Sequence, residues 1–108
     1  MVLLFVRVQL EGVGASRELP IRYARFFRAL GHRVRSYRVE RHLTQEDMIS
    51  HGFSLRHWQM IEAGRPIYAV TLLRVCDTFE VSLQELVAGL SKHFTRHPTA
   101  DDKFQGDL

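Results

Sequence analysis

The chain is short of the residues that build most small chemical sites. It holds a single cysteine, Cys76, in 108 residues, which excludes an intramolecular disulfide framework and leaves too few thiolates for a zinc ribbon or finger. A reducing, cytoplasmic setting is the simplest expectation. Long apolar runs are also missing. The longest, Met1 to Val6, is far below the ~20 residues of a membrane-spanning helix, and it lacks the basic region and small-residue cleavage site of a secretory signal. Neither a membrane nor an export route is expected. No glycine-rich phosphate loop, Gly-x-Ser-x-Gly elbow or His-Glu-x-x-His run occurs, so nothing points to catalysis, to a cofactor or to a small-molecule ligand. His93 and His97 are four apart, but one cysteine, no carboxylate at matching spacing and the nearby Pro98 argue against a metal site. One-sided charge is modest too: 15 Lys and Arg against 12 Asp and Glu leave a net +3, which permits a polyanionic partner without requiring one.

What is present divides the chain into three parts. Residues 1–22 form an N-terminal extension, residues 23–90 a helical domain, and residues 91–108 a polar tail. Val2 to Leu10 alternates like a β-strand but has no partner strand, and Gly12, Gly14, Ser16 and Pro20 follow it like a linker. The extension is therefore expected to be a poorly ordered appendage. The tail lacks apolar periodicity and is expected to stay solvated.

The 23–90 segment carries helical periodicity throughout. Phe27, Leu30, Val34, Tyr37 and Arg41 recur at spacings of three and four, which predicts a first helix with one apolar stripe. Thr44 as N-cap, Asp47 three residues on, and Leu43 with Met48 at the staple positions predict a second helix starting at Gln45. Gly52 offers a cheap reversal, and Ser54 caps a third helix running to Gly64. Arg65 and Pro66 open a loop, and Leu72, Leu73, Val75, Cys76 and Phe79 predict a fourth helix with Cys76 as buried filler. Ser82 with Glu85 is a second capping box, opening a fifth helix over Leu83 to Leu90. The expected fold is all-α with five short helices. In the third helix, Trp58 and Ile61 are three apart and face inward, which leaves Leu55, Arg56, Gln59 and Met60 outward. Leu86, Val87 and Leu90 suit either a dimer contact or the closing of the monomer's own core.

Five signatures now stand in order. They are Leu30 to Arg35, Leu43 to Glu46, Gly52 to Ser54, Ile61 with Glu62 and Gly64, and Val81 to Leu86. Together they resemble the Cro/repressor (XRE) type of helix-turn-helix protein over roughly Leu30 to Val87. The resemblance implies a five-helix, lambda-repressor-like domain that binds double-stranded DNA as a homodimer on a two-fold symmetric operator, regulates transcription, commonly as a repressor, and catalyses nothing. It implies a DNA-binding set of Thr44, Gln45, Ser54, Leu55, Arg56, Gln59, Met60 and Arg65. Arg56 can pair with guanine O6 and N7, Gln59 with adenine N6 and N7, and Leu55 or Met60 with a thymine methyl, although a methionine at helical spacing is as often packing. Gln45 and Arg65 are phosphate contacts. It also implies a structural pair, Arg38 with Glu62, while Arg33, Arg35 and Arg41 read as solvated charge. The chain departs from the pattern in two places. It has one residue fewer between Gln45 and Gly52, with Met48 or Ile49 where a small alanine is usual. His42 stands where glycine usually ends the first helix, and it tolerates the left-handed conformation less well. The competing expectation is a protein-binding module, because Leu55, Trp58 and Met60 give the third helix enough apolar character to dock in a partner's groove.

Overall fold

A computed structural model describes residues 19–94, and these are all-helical, with no strand among them. The strand expected over Val2 to Leu10 and the end of the tail, including His97, lie outside the described residues. Four α-helices and two 3-10 helices follow in chain order: α1 Ile21–Glu40, η1 Glu46–His51, α2 Leu55–Glu62, α3 Ala69–Phe79, α4 Leu83–Leu86 and η2 Leu90–His93.

α1 is the scaffold. It begins at Ile21, two residues earlier than periodicity suggests, because Pro20 supplies a fixed φ at the cap and its carbonyl accepts from the Tyr23 and Ala24 amides. It packs against α2, α3, α4 and η2. Its inward residues Leu30 and Val34 meet Met48, Phe53, Trp58, Ile61, Val75, Phe79, Leu86 and Leu90 in one core. The indole of Trp58 is fully enclosed, edge-on to the Phe53 ring at 4.8 Å and to the Phe79 ring at 5.9 Å. At Gly31 the backbone of α1 packs directly against that of α2. A Cβ there would stand 2.7 Å from the Glu62 carbonyl oxygen and 2.8 Å from that of Ile61.

Helix ends are set by left-handed residues. After α1, His42 has φ 58°, and the His42 and Leu43 amides return to the Val39 and Arg38 carbonyls. The same closure follows η1 at Gly52, α2 at Gly64 and α3 at Glu80, whose φ is 56°. Glycine relieves the steric penalty at two of these positions; His42 and Glu80 retain it.

Several expectations are corrected. The second helix is a 3-10 helix over Glu46–His51 and not an α-helix from Gln45. Six residues at the 3-10 rise of about 2.0 Å cover about 12 Å, the span of eight α-helical residues. The Thr44 and Asp47 box still forms, the Thr44 hydroxyl accepting from the Asp47 amide at 3.1 Å and the Asp47 carboxylate from the Thr44 amide. Met48 takes the interior position and Ile49 points out, 53% exposed. Leu73, expected in the core with Leu72, is half exposed. The fifth helix stops at Leu86 instead of Leu90, since Gly89 turns left-handed before η2. Leu86 and Leu90 are buried in the monomer's own core, which decides their role against a dimer contact. Residues 91–94, expected to belong to the tail, are packed on the fold: η2 runs to His93, and the Phe94 ring stacks edge-on against Phe26 at 5.3 Å. There Tyr23, Phe26, Phe27 and Phe94 line an apolar hollow of about 260 Å³.

Candidate nucleic-acid interface

α2 is built to present one face and anchor the other. The Ser54 hydroxyl accepts from the His57 amide at 3.0 Å, and Gly64 closes the far end. Between them Trp58 and Ile61 are buried, while Arg56 and Gln59 are exposed and Leu55 and Met60 half-buried. The division expected from spacing holds for Trp58 and Ile61 inward and Arg56 and Gln59 outward, whereas Leu55 and Met60, expected outward, are partly covered. Arg65 is exposed just past the helix end. Thr44 and Ser54 are exposed as well, but their hydroxyls are engaged as caps.

The last residue of α2, Glu62, carries a carboxylate held by four donors. Arg38 gives Glu62 two hydrogen bonds, Nη2 to Oε1 at 2.9 Å and Nε to Oε2 at 2.5 Å. Trp58 Nε1 donates to Oε2 at 2.5 Å, and Gln45 Nε2 donates to Oε1 at 3.0 Å. The Arg38 and Glu62 side chains are 10% and 5% exposed, so the expected structural pair is a buried one. Arg38 also donates to the Leu43 carbonyl at 2.8 Å, which ties the pair to the end of α1. Burial alone would push the Glu62 carboxyl up. The hydrogen bonds from Arg38, Gln45 and Trp58 outweigh it and hold the group below its usual range, ionised at neutral pH. The bond to Glu62 likewise raises the Arg38 guanidinium.

Gln45 sits differently from a free phosphate ligand. Its amide nitrogen turns inward to Glu62, and its oxygen accepts from Gln59 Nε2 at 3.3 Å. Glu46 and Asp47 occupy the first turn of η1, which weakens that end as an anion cradle. The Asp47 carboxyl is itself lowered by the Thr44 backbone bond.

Two arginines expected as solvated charge make hydrogen bonds within the fold, Arg33 while half-buried and Arg41 while still exposed. Arg33 donates to the Leu86 and Ala88 carbonyls at 3.1 and 2.6 Å, and so fastens α1 to α4. Arg41 donates to the Tyr37 and Phe79 carbonyls and lies over both rings, each at 5.1 Å. These groups satisfy backbone oxygens left open at helix ends, a role invisible to a count of charges. Sequence spacing also missed Arg28. It is exposed on α1, and its Cα would lie 3.0 Å from a Cβ at Gly64, which places its backbone against the turn that ends α2. The close α1–α2 approach permitted by Gly31 and Gly64 is the signal that identifies it.

Among the described residues no group of three or more His, Cys, Asp or Glu side chains is placed to hold a metal ion, and no helix is long and apolar enough to cross a membrane. No family model, curated protein or solved structure matches the chain.

Proposed function

We propose that the chain is a sequence-specific DNA-binding transcriptional regulator of the Cro/repressor helix-turn-helix type, with α2 as the helix that enters the major groove. The observation that carries the proposal is the rigid presentation of α2: Trp58 and Ile61 are locked in the core, Glu62 is tied to Arg38, and Arg56 and Gln59 are left exposed on the opposite face. Both exposed side chains carry base-edge chemistry, a guanidinium for guanine and a carboxamide for adenine, each such bidentate contact discriminating by roughly 1–3 kcal/mol. Arg65, with Arg28 of α1 against the same turn, supplies cations at the end of the helix for phosphates that set register without reading sequence. A lambda-repressor-like arrangement would act as a homodimer, with two copies of α2 about one helical turn apart, ~34 Å, on a palindrome. Occupancy of an operator, with repression as its outcome, then requires no catalysis by the chain. The same face docking on a protein is the competing reading, and salt separates the two, because phosphate neutralisation makes affinity fall steeply with salt whereas an apolar contact changes little.

Selection from a pool of random duplexes at two salt concentrations tests this directly, with the double variant Arg56→Ala, Gln59→Ala alongside. The expected result is a recovered palindrome, steep salt dependence and lost selectivity in the variant. Indiscriminate recovery, or no binding at low salt, would overturn it.

A further inference from the structure

Resting on the DNA-binding reading of α2, we infer that Glu62 is a specificity-positioning residue: through Gln45 it fixes which end of the Gln59 carboxamide faces outward. A free glutamine presents oxygen or NH2 with equal ease, since the two ends have nearly the same shape but opposite hydrogen-bonding sense. Here the choice is removed in three steps. The Glu62 carboxylate is ionised and accepts only, so Gln45 must turn its NH2 to it, which it does at 3.0 Å. The Gln45 oxygen is then directed away from Glu62 and accepts from Gln59 Nε2 at 3.3 Å. With one N–H committed, Gln59 retains its oxygen and one N–H on an exposed face of α2.

That remainder is one acceptor and one donor held at a fixed sense. Adenine presents the complement in the major groove, an N6 amino donor beside the N7 acceptor, whereas guanine presents two acceptors there. Polarity imposed from inside the protein therefore favours adenine at the base pair under Gln59. The relay is anchored where nothing can rearrange cheaply, because Glu62 is also held by Arg38 and by the buried Trp58 indole. Gln45 keeps its second N–H, so a phosphate contact by that residue is compatible with its place in the relay.

The test pairs a measurement on the free protein with one on DNA, using the full chain. In the wild type, the 15N-resolved side-chain amide protons of Gln59 are expected to exchange slowly and to lie away from their values in an unstructured peptide. In Gln45→Leu, which leaves the Arg38 pair to Glu62 in place, both properties should revert. In duplex selection, Gln45→Leu should lose about fivefold or more of the adenine preference at one position per half-site, the equivalent of about 1 kcal/mol, while preferences at the other positions persist. Arg65→Ala serves as the contrast, weakening all sequences alike. Glu62→Gln should reproduce the one-position loss, since an amide can present either end to Gln45; if that variant does not fold, Gln45→Leu still carries the test. Unstructured Gln59 amide behaviour in the wild type overturns the relay. So does a selected operator whose adenine preference survives intact in Gln45→Leu. A wild-type chain that selects no sequence overturns instead the DNA-binding reading on which the relay's role depends.

Discussion

Replacing Arg38 by methionine keeps the aliphatic stem and removes the guanidinium from the Glu62 carboxylate. Two charge-assisted hydrogen bonds to Glu62 and one to the Leu43 carbonyl are lost together. The carboxylate, 5% exposed, is then left to the neutral donors Gln45 and Trp58. Breaking a buried pair from one side typically costs about 3–5 kcal/mol. A domain of about 75 residues has roughly 4–11 kcal/mol in total, so Arg38→Met should bring the protein close to unfolding at room temperature. Urea denaturation followed by the emission of the lone Trp58 reads this as a midpoint lowered by roughly 2 M or more. The double variant Arg38→Met, Glu62→Gln removes the stranded charge and should be more stable than Arg38→Met alone, with a coupling of about 1–3 kcal/mol. The pH dependence has a definite sign. The Glu62 carboxyl is lowered in the folded protein, so its contribution is complete above its unfolded value of 4.5 and is lost as pH falls through the lower folded value. The gap between wild type and Arg38→Met should therefore shrink in acid. A loss below about 1 kcal/mol at neutral pH, or a double variant as unstable as the two single changes summed, would refute the assignment of Arg38 and Glu62 as a coupled buried pair.

Gly31→Ala should cost about 1–3 kcal/mol, because its new methyl meets the Glu62 and Ile61 carbonyl oxygens and α1 can only back away from α2; an unchanged melting temperature would mean that the two helices are not in that contact. His42→Gly and Glu80→Gly should each stabilise by about 0.5–1 kcal/mol, the left-handed penalty relieved exceeding the entropy glycine adds to the unfolded chain. Loss of stability in both would refute the left-handed closures. Cys76 is buried, and burial with Asp77 nearby raises its thiol, so an aromatic disulfide reagent should label it only as fast as the protein unfolds; rapid native-state labelling would show that the site is open.

How much of this could be read in the sequence depends on whether the determinant was local. Caps and periodicity are local, and Ser54, Ser82, Trp58 and Ile61 stand where spacing puts them. The pairing of Arg38 with Glu62 came from family resemblance, and the two residues do meet. The η1 winding was not legible, since α and 3-10 helices share their caps and differ in hydrogen-bond step and rise, which a six-residue segment does not reveal by its apolar spacing. Glu80 was missed because a left-handed C-terminus is read from glycine, and here it is a glutamate. Leu73 was misplaced because its neighbour Leu72 fills the same stretch of the stripe, and only packing against the other helices decides which of two adjacent leucines turns inward.

Charge shows the same limit, and it bears on function. A net +3 suggests a diffuse attraction for phosphate, yet four of the arginines are engaged with other groups of the fold. Arg33 and Arg41 hold carbonyls, Arg38 neutralises Glu62, and Arg74 donates to the Gly52 carbonyl at 2.6 Å while lying 4.2 Å over the Phe53 ring. Glu62 in turn adds no repulsion at the end of α2, because its charge is matched where it lies. The cations left exposed at the C-terminal end of α2 are Arg28 and Arg65, with Arg56 exposed near its start. If Arg28 and Arg65 each met one phosphate in each subunit of a dimer, the slope of log affinity against log salt would be about −4. Removing one of them should reduce that slope by about 2, whereas removing Arg33 or Arg41 should lower stability and leave it unchanged.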